Sequence, residues 1–455
     1  MHARAVKHTE QARKLVESSK HTHVKVGVFD IDGVMRGKYM SREKFLSALD
    51  TGFGFCDVVL GWDVKDRLYD NAQYTGWHTG YPDAPVRILP STCRYLPLED
   101  NMLFFLGEFS EQAESICPRA VLRRVIEKAQ SMGFNCFSGF EYEFFVFDET
   151  AQSIREKKYQ NLTPLAPSEF GYSVIRNSVE SDLYESILTL SEEMDFLIEG
   201  LHEETGPGVL EAALTYTDAL DSADKAGMFK TFTKILLQKQ DKIATFMARW
   251  SADQPGQSGH IHLSLQNDKS QPLFFDATRE HNMSDVMRYF AAGQQQLMPE
   301  FMAMIAPTVN SYRRLIPGLW APTHASVGVD NRTCAIRIIP GSEKSQRLEF
   351  RVAAADANPY LVLAAVIASG LWGIENKAEI ESMVTGNAYE QSLPENLALP
   401  QTLWDAAQMF KSSTSARDYF GDAFVEHFAA TREWEEREYR KHISQWELER
   451  YFEII

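Results

Sequence analysis

The stretch G-F-E-Y-E-F-F-V-F, residues 139–147, sets two glutamates two positions apart inside an apolar run. Successive strand side chains point to opposite faces, so Glu141 and Glu143 share one face of a strand. The flanking Phe140, Phe144, Phe145 and Phe147 argue against an exposed edge. Two further runs repeat the pattern. S-G-H-I-H-L-S-L (258–265) pairs His260 with His262, and R-L-E-F-R-V (347–352) pairs Glu349 with Arg351. Carboxylates and imidazoles in such surroundings are costly unless a charge meets them. A hard cation and a phosphorylated substrate would meet them.

Around these strands, 455 residues allow two domains or more and a sizeable core. The 46 Lys+Arg against 63 Asp+Glu leave a formal charge of −17. That balance disfavours nucleic acid or an anionic membrane as the partner. Cysteines 56, 93, 117, 136 and 334 lie scattered without a C-x-x-C pair, as reduced thiols of a cytosolic protein do. The opening M-H-A-R-A-V-K-H-T-E is polar, unlike a signal peptide. The longest apolar stretch, 360–374, contains Gly370 and Gly373 and reads as a buried helix, too short to span a bilayer comfortably. A soluble, cytoplasmic protein is expected.

Residues 8–20 read as a short polar helix, and V-K-V-G-V-F-D-I-D-G-V-M-R-G-K (24–38) as a strand entering a glycine turn. Residues 52–97, rich in Gly, Pro, Asp and aromatics, suggest strands joined by a long ordered loop, a common place for function. N-M-L-F-F-L-G-E-F (101–109) is another buried strand, and C-P-R (117–119) opens a periodic helix to about residue 132. Helices dominate after residue 355. The architecture expected is α+β: a small β domain, a boundary near residue 110, then a larger α+β domain.

H-E-E-T-G-P-G-V-L-E (202–211) brings Glu204 and Glu211 around a Gly-Pro-Gly turn. With the paired strands this makes a carboxylate-rich set suited to Mg²⁺ or Mn²⁺. H-x-H on a strand also begins many zinc hydrolase sites, so a metal-dependent hydrolase is a second reading. Between 310 and 351 stand Arg313, Arg314, Arg332, Arg337, Lys344, Arg347 and Arg351. Arginine binds carboxylate and phosphate bidentately, and metal carboxylates beside such arginines describe phosphoryl transfer. No G-x-x-x-x-G-K-[ST] occurs, so a nucleotide site would not be a P-loop.

Taken in order, D-I-D-G-V-M-R-G-K, G-F-E-Y-E-F-F-V-F, E-T-G-P-G-V-L-E, A-T-F-M-A-R-W, S-G-H-I-H-L-S-L, P-T-V-N-S-Y-R-R-L-I-P-G, N-R-T-C-A-I-R-I and R-L-E-F-R, with A-N-P-Y after it, resemble glutamine synthetases. The resemblance covers essentially the whole chain. It implies an N-terminal β-grasp domain (21–110, after an arm of 1–20) and a catalytic domain (111–455) with an antiparallel, barrel-like sheet. It implies a dodecamer of two hexameric rings, with active sites between neighbours. It also implies two to three Mg²⁺ or Mn²⁺ ions per subunit, and ATP as a substrate. By resemblance Glu143, Glu204 and Glu211 hold one ion, while Glu141, His260 and Glu349 hold another; Glu203 adjoins Glu204, leaving that register open. Arg314 and Arg351 match binders of the glutamate carboxylate, Gly256 meets its amino group, and Arg332 and Arg337 match residues touching the transferred phosphate. His262, Ser264, Lys344 and Arg347 match the nucleotide side. ATP would phosphorylate the γ-carboxylate of glutamate, and a nitrogen nucleophile would then displace phosphate.

The nucleophile is where the chain departs from the family. After R-R-L-I-P-G-L, Trp320 occupies the place of a glutamate that closes over ammonium in glutamine synthetases. Tryptophan offers an alkylamine an apolar face and cation–π attraction instead. Val209, Leu210 and Pro255 also replace usual polar residues, and the loop 61–83 lacks the D-G-S-S signature. These departures point to the γ-glutamyl-amine ligase branch, similar to γ-glutamylputrescine synthetases of amine catabolism. Asp63 or Asp83 of a neighbouring subunit would receive the amine proton. The alternatives are ammonia as substrate and a non-catalytic assembly protein. The aromatics Trp62, Tyr69, Tyr74 and Trp77 favour a monoamine, while Asp63, Asp66, Asp70 and Asp83 would suit a diamine. Whether Tyr389 is a modification site is open.

Overall fold

The computed structural model describes residues 2–318 and 320–455. Its first sheet contains β1 (His23–Phe29), β2 (Met35–Ser41), β3 (Phe53–Cys56), β4 (Asp83–Ile88), β5 (Arg94–Leu96) and β6 (Met102–Phe109). The order is β2-β1-β6-β4-β3, with β5 also on β6. Val24, Val26 and Val28 alternate into the core, as the period of two requires. β1 runs parallel to β6, aligning Val26 with Phe105, and antiparallel to β2. The D-I-D-G turn between β1 and β2 needs Gly33 at φ 78°, a region open to glycine. The helix Arg42–Thr51 covers this sheet, with Phe45 against Phe105 at 4.8 Å.

The second sheet contains β7 (Asn135–Phe147), β8 (Ile198–Glu203), β9 (Val209–Leu214), β10 (Thr217–Asp218), β11 (Ile243–Thr245), β12 (Gly259–Gln266), β13 (Val327–Val329), β14 (Ile336–Ile339) and β15 (Arg347–Phe350). Its path is β13-β14-β15-β12-β7-β9-β8, antiparallel except at β13–β14. Long β7 is the spine, pairing also with β10 and β11. Phe140, Tyr142 and Phe144 stack on one side against Phe229 and Phe246, which turns Glu141 and Glu143 to the other. The third paired run is strand only to Phe350; Arg351 lies one residue beyond, yet its guanidinium still meets the Glu349 carboxylate.

The helices Pro118–Ser131, Ala219–Lys239, Asp285–Ile305 and Pro359–Asn376 pack behind the second sheet. Pro359–Asn376 is long and apolar enough by composition to cross a membrane, but 78% of it is buried inside the protein. It lies so close to Asp285–Ile305 that a Cβ on Gly293 would come within 2.2 Å of the Ser369 carbonyl oxygen. The two sheets are bolted together by buried charge. Arg119 donates to Glu108 of β6 at 2.6 Å and bidentately to Asp224 at 2.8 Å, and Tyr360 donates to Asp224 at 2.7 Å.

Candidate active site

The polar face of β7 opens onto a cavity of 420 Å³. Glu141, His260 and Glu349 converge there because β12 lies between β7 and β15, placing His260 opposite Glu141 and His262 opposite Glu349. His260 Nδ1 stands 3.3 Å from Glu141 and 3.4 Å from Glu349. On the other side of β7, Glu143 faces Glu211 of β9 directly. His202, Glu204 and Glu211 form a second convergent set, His202 Nε2 lying 3.5 Å from Glu204 and 3.4 Å from Glu211. The Ser258 N–H donates to Glu143 at 2.6 Å and fixes its rotamer.

Burial, together with the charges of Glu141, Glu143, Glu204 and Glu349, pushes the Glu211 carboxyl up to about 10. Burial works against ionised Glu141 too, but hydrogen bonds from His260 and His262 outweigh it and hold that carboxyl far below the usual range. Burial likewise opposes ionised Glu349, yet His260, Arg351 and His262 bring it to about 2. This is an excess of hard oxygen donors, and the buried His202 Nε2 has no hydrogen-bond partner among the described residues. Divalent cations with oxygen preference fit both sets.

Arginines interleave with these carboxylates. Arg314, Arg332, Arg337, Arg347 and Arg351 all line the cavity. Arg314 is buried, donating to the carbonyls of Val352 (2.9 Å) and Arg351 (3.1 Å). Arg337 donates to Glu349 at 2.9 Å and to Asp330 at 2.6 Å. Gly256 must lack a side chain, since a Cβ would stand 2.5 Å from Arg314 Cγ. Ser264 and Lys344 lie in an adjoining cavity of 380 Å³, which shares Glu141, His262 and Arg347 with the first. Arg313 points away and donates to Tyr439 Oη.

Glu204, not Glu203, enters the cavity; Glu203 is buried elsewhere, where burial raises its carboxyl. Trp320 lines the cavity mouth at 62% exposure, with φ 56°. Asp63 and Asp83 do not line it. Asp63 is buried, accepting from the N–H groups of Lys65 and Arg67 on one oxygen and from Trp434 Nε1 on the other, which commits its carboxylate to the loop and the helix. Asp83 lies on β4 beside Gly54, Asp66 pairs with Arg36, and Asp70 pairs with Arg437. Tyr69 and Tyr74 pack on Trp434 and His427, so within this chain the aromatic loop covers the helix Asp422–Tyr439 and not the cavity. The Tyr389 hydroxyl is buried and without a hydrogen-bond partner among the described residues.

Two residues at the second carboxylate set escaped the sequence reading: His202, beside Glu204 and Glu211, and Tyr172, which lines the cavity. His202 precedes Glu204 by two positions, the same spacing that flagged the other pairs. Tyr172 stacks on His202 at 4.4 Å and 12°. Nothing local in the sequence marks it, because it arrives from a separate loop.

The glutamine synthetase catalytic-domain profile matches residues 115–451. Type-1 glutamine synthetase 2 of Dictyostelium discoideum is 43% identical over 97% of this chain and 85% of that protein. Glutamate–isopropylamine ligase of a Pseudomonas species is 36% identical over 98% of each chain. The solved structure of apo GmaS superposes with a TM-score of 0.84 at 23% identity, over 97% of this chain and 99% of that one; that likeness bears on the fold alone.

Proposed function

The chain belongs to the glutamine synthetase family, and from that we propose that it joins L-glutamate to an alkylamine, forming a γ-glutamyl amide while ATP becomes ADP and phosphate. A carboxylate is a poor electrophile, so the γ-carboxylate first takes the terminal phosphoryl group of ATP. The amine nitrogen then attacks that carbon, phosphate leaves, and the nitrogen gives up a proton.

When bound, divalent ions neutralise charge on the phosphates and the γ-carboxylate. Glu143, Glu204 and Glu211 would hold one ion, and Glu141, His260 and Glu349 would hold another. Arg314 and Arg351 grip glutamate, and Gly256 lets its amino group approach the backbone. Arg332 and Arg337 neutralise the phosphoryl group in flight. His262, Ser264, Lys344 and Arg347 receive the nucleotide along the adjoining cavity. These roles are supported by one polar face carrying carboxylates against arginines, with the 380 Å³ cavity continuing it.

Trp320 carries the choice of nucleophile. An indole at the cavity mouth neither pairs with ammonium nor takes its proton, but shelters an alkyl group. The isopropylamine ligase likeness, full-length on both sides, supports this reading. The more identical Dictyostelium relative carries a glutamine synthetase name, which keeps ammonia as the second reading. The direct test is ADP release with glutamate, Mg²⁺ or Mn²⁺, and a panel of ammonia, monoamines and diamines. Alkylamines should lead; ammonia outperforming every amine sinks the proposal.

The wider reading is an arm (1–20), a β-grasp domain (21–110) and a catalytic domain (111–455), assembled in the cytoplasm as two hexameric rings. A solution mass near that of twelve chains tests the assembly. Asp63 drops out as proton acceptor because its carboxylate is buried and committed. Asp83 of a neighbour stays in the proposal.

A further inference from the structure

On the face of β7 opposite Glu141 and Glu143 lies a separate cavity of 530 Å³. Phe246, stacked on Phe144 at 5.0 Å, is one wall. The β1–β2 turn closes the other side, and the helix Ala219–Lys239 presents Lys230 and Lys234 one turn apart. Both ammonium groups lie over the Phe246 ring, at 5.7 and 5.3 Å.

Neither amine makes an ion pair among the described residues, the Asp356 carboxylate acting on Lys230 only from a distance. Lys230 Nζ donates to the carbonyls of Ala355 and Ala357, at 2.7 and 3.0 Å. Lys234 has no ion pair or hydrogen bond among the described residues, and burial alone pushes its amine down. Burial takes Lys230 to about 7. Of the acids in the wall, Asp32 has its own cation and Asp356 is held by hydroxyl donors. Asp356 accepts from the Thr308 and Ser311 hydroxyls at 2.7 and 2.9 Å, and Asp32 pairs with Arg432 at 2.5 Å. Much of the remaining surface is apolar, including Met35, Ile235 and Met247. Two partly buried amines facing a cavity and out of ion-pair reach of a carboxylate are poorly solvated when charged, and an anion entering the cavity offsets that cost.

We propose that this cavity binds a small anion with an apolar body, a carboxylate or a phosphate monoester. Its oxygens meet Lys234 and Lys230, and its carbon chain lies against Phe246 and Met247. The site is separate from the metal-facing cavity, because β7 stands between them.

The test is a thermal-shift titration of the full chain with hexanoate, butyl phosphate and 1-hexanol, in saturating glutamate and Mg²⁺ to occupy the other cavity. Hexanoate or butyl phosphate should raise the unfolding midpoint by a few degrees, on the order of 2–6 °C at saturation, and whichever binds more tightly identifies the headgroup. Hexanol, with the body but not the charge, should not. Lys234→Met should weaken anion binding at least tenfold. Val34→Trp, at an exposed position on the cavity rim, should block it without removing charge. No shift with either anion in the wild type overturns the proposal, as does an unchanged shift in both variants; the lysines would then be structural partners of Phe246 only.

Discussion

Glu143 and Glu211 stand directly opposite one another across the β7–β9 pair, two carboxylates on one rung of an antiparallel ladder. Two ionised carboxylates so placed repel, so without metal Glu211 keeps its proton, and a cation bound between them displaces that proton and offsets the repulsion. Mn²⁺ or Mg²⁺ at a hundredfold excess over its dissociation constant should therefore stabilise the fold by about 2.7 kcal/mol. Glu211→Gln should leave the metal-free protein as stable as the wild type or more so, by up to about 1 kcal/mol. Its response to metal should largely vanish. Equal metal-induced shifts in both proteins would remove Glu211 from the ion's surroundings.

Trp320 gives a second outcome. Truncation to alanine should lower kcat/KM for isopropylamine by about 10- to 100-fold, roughly 1.5–3 kcal/mol of lost aromatic contact. The KM for ATP should hardly move, since the nucleotide cavity does not include Trp320. Trp320→Glu should raise activity with ammonia relative to alkylamines. Steady-state kinetics on the two variants reads both.

Arg119 lies buried between Glu108 and Asp224. Arg119→Met would leave Asp224 without a cation and buried Glu108 with Arg87 and Arg123 only, at the seam of the two sheets. A loss of about 3–5 kcal/mol is expected, seen as a lower urea midpoint. A variant within about 1 kcal/mol of wild type would mean that the seam is held by packing alone.

His427 predicts acid sensitivity. It is fully buried, its Nε2 donating to the Leu60 carbonyl at 2.9 Å, with Tyr74 against the ring. Burial lowers its pKa from 6.5 to about 4, the Arg432 charge adding to the effect. The unfolded chain thus takes up a proton at higher pH than the folded one. Stability contributed by neutral His427 is intact above pH 6.5 and is lost as pH falls toward 4, by about 3 kcal/mol in all. His427→Gln should flatten that part of the stability–pH curve, measured by unfolding midpoints at pH 7.5, 6, 5 and 4.

Much of the fold was legible because strand periodicity is local. Phe140, Tyr142 and Phe144 form the core face of β7 as their spacing requires, and Pro118 opens its helix where expected. The polar arm helix begins at Thr9 and ends at Ser18, within two residues of its predicted bounds. The aromatic loop misled in one respect. Trp62, Tyr69, Tyr74 and Trp77 suggested a substrate pocket, but within this chain Tyr69 and Tyr74 pack on a helix more than 350 residues away in sequence.

The sequence alone determined which side chains share a face: Glu141 with Glu143, His260 with His262, Glu349 with Arg351, and, unnoticed, His202 with Glu204. That follows from covalent geometry, which repeats every two residues whatever the chain does elsewhere. Tertiary structure decided which faces meet. The register of β12 against β7 and β15 brings His260 between Glu141 and Glu349. The turn after β8 sends Glu204 inward and leaves Glu203 out. Packing of the aromatic loop buries Asp63 under Trp434. Registers and packings of this kind are selected by the burial of distant apolar surfaces against each other, information that no local spacing carries.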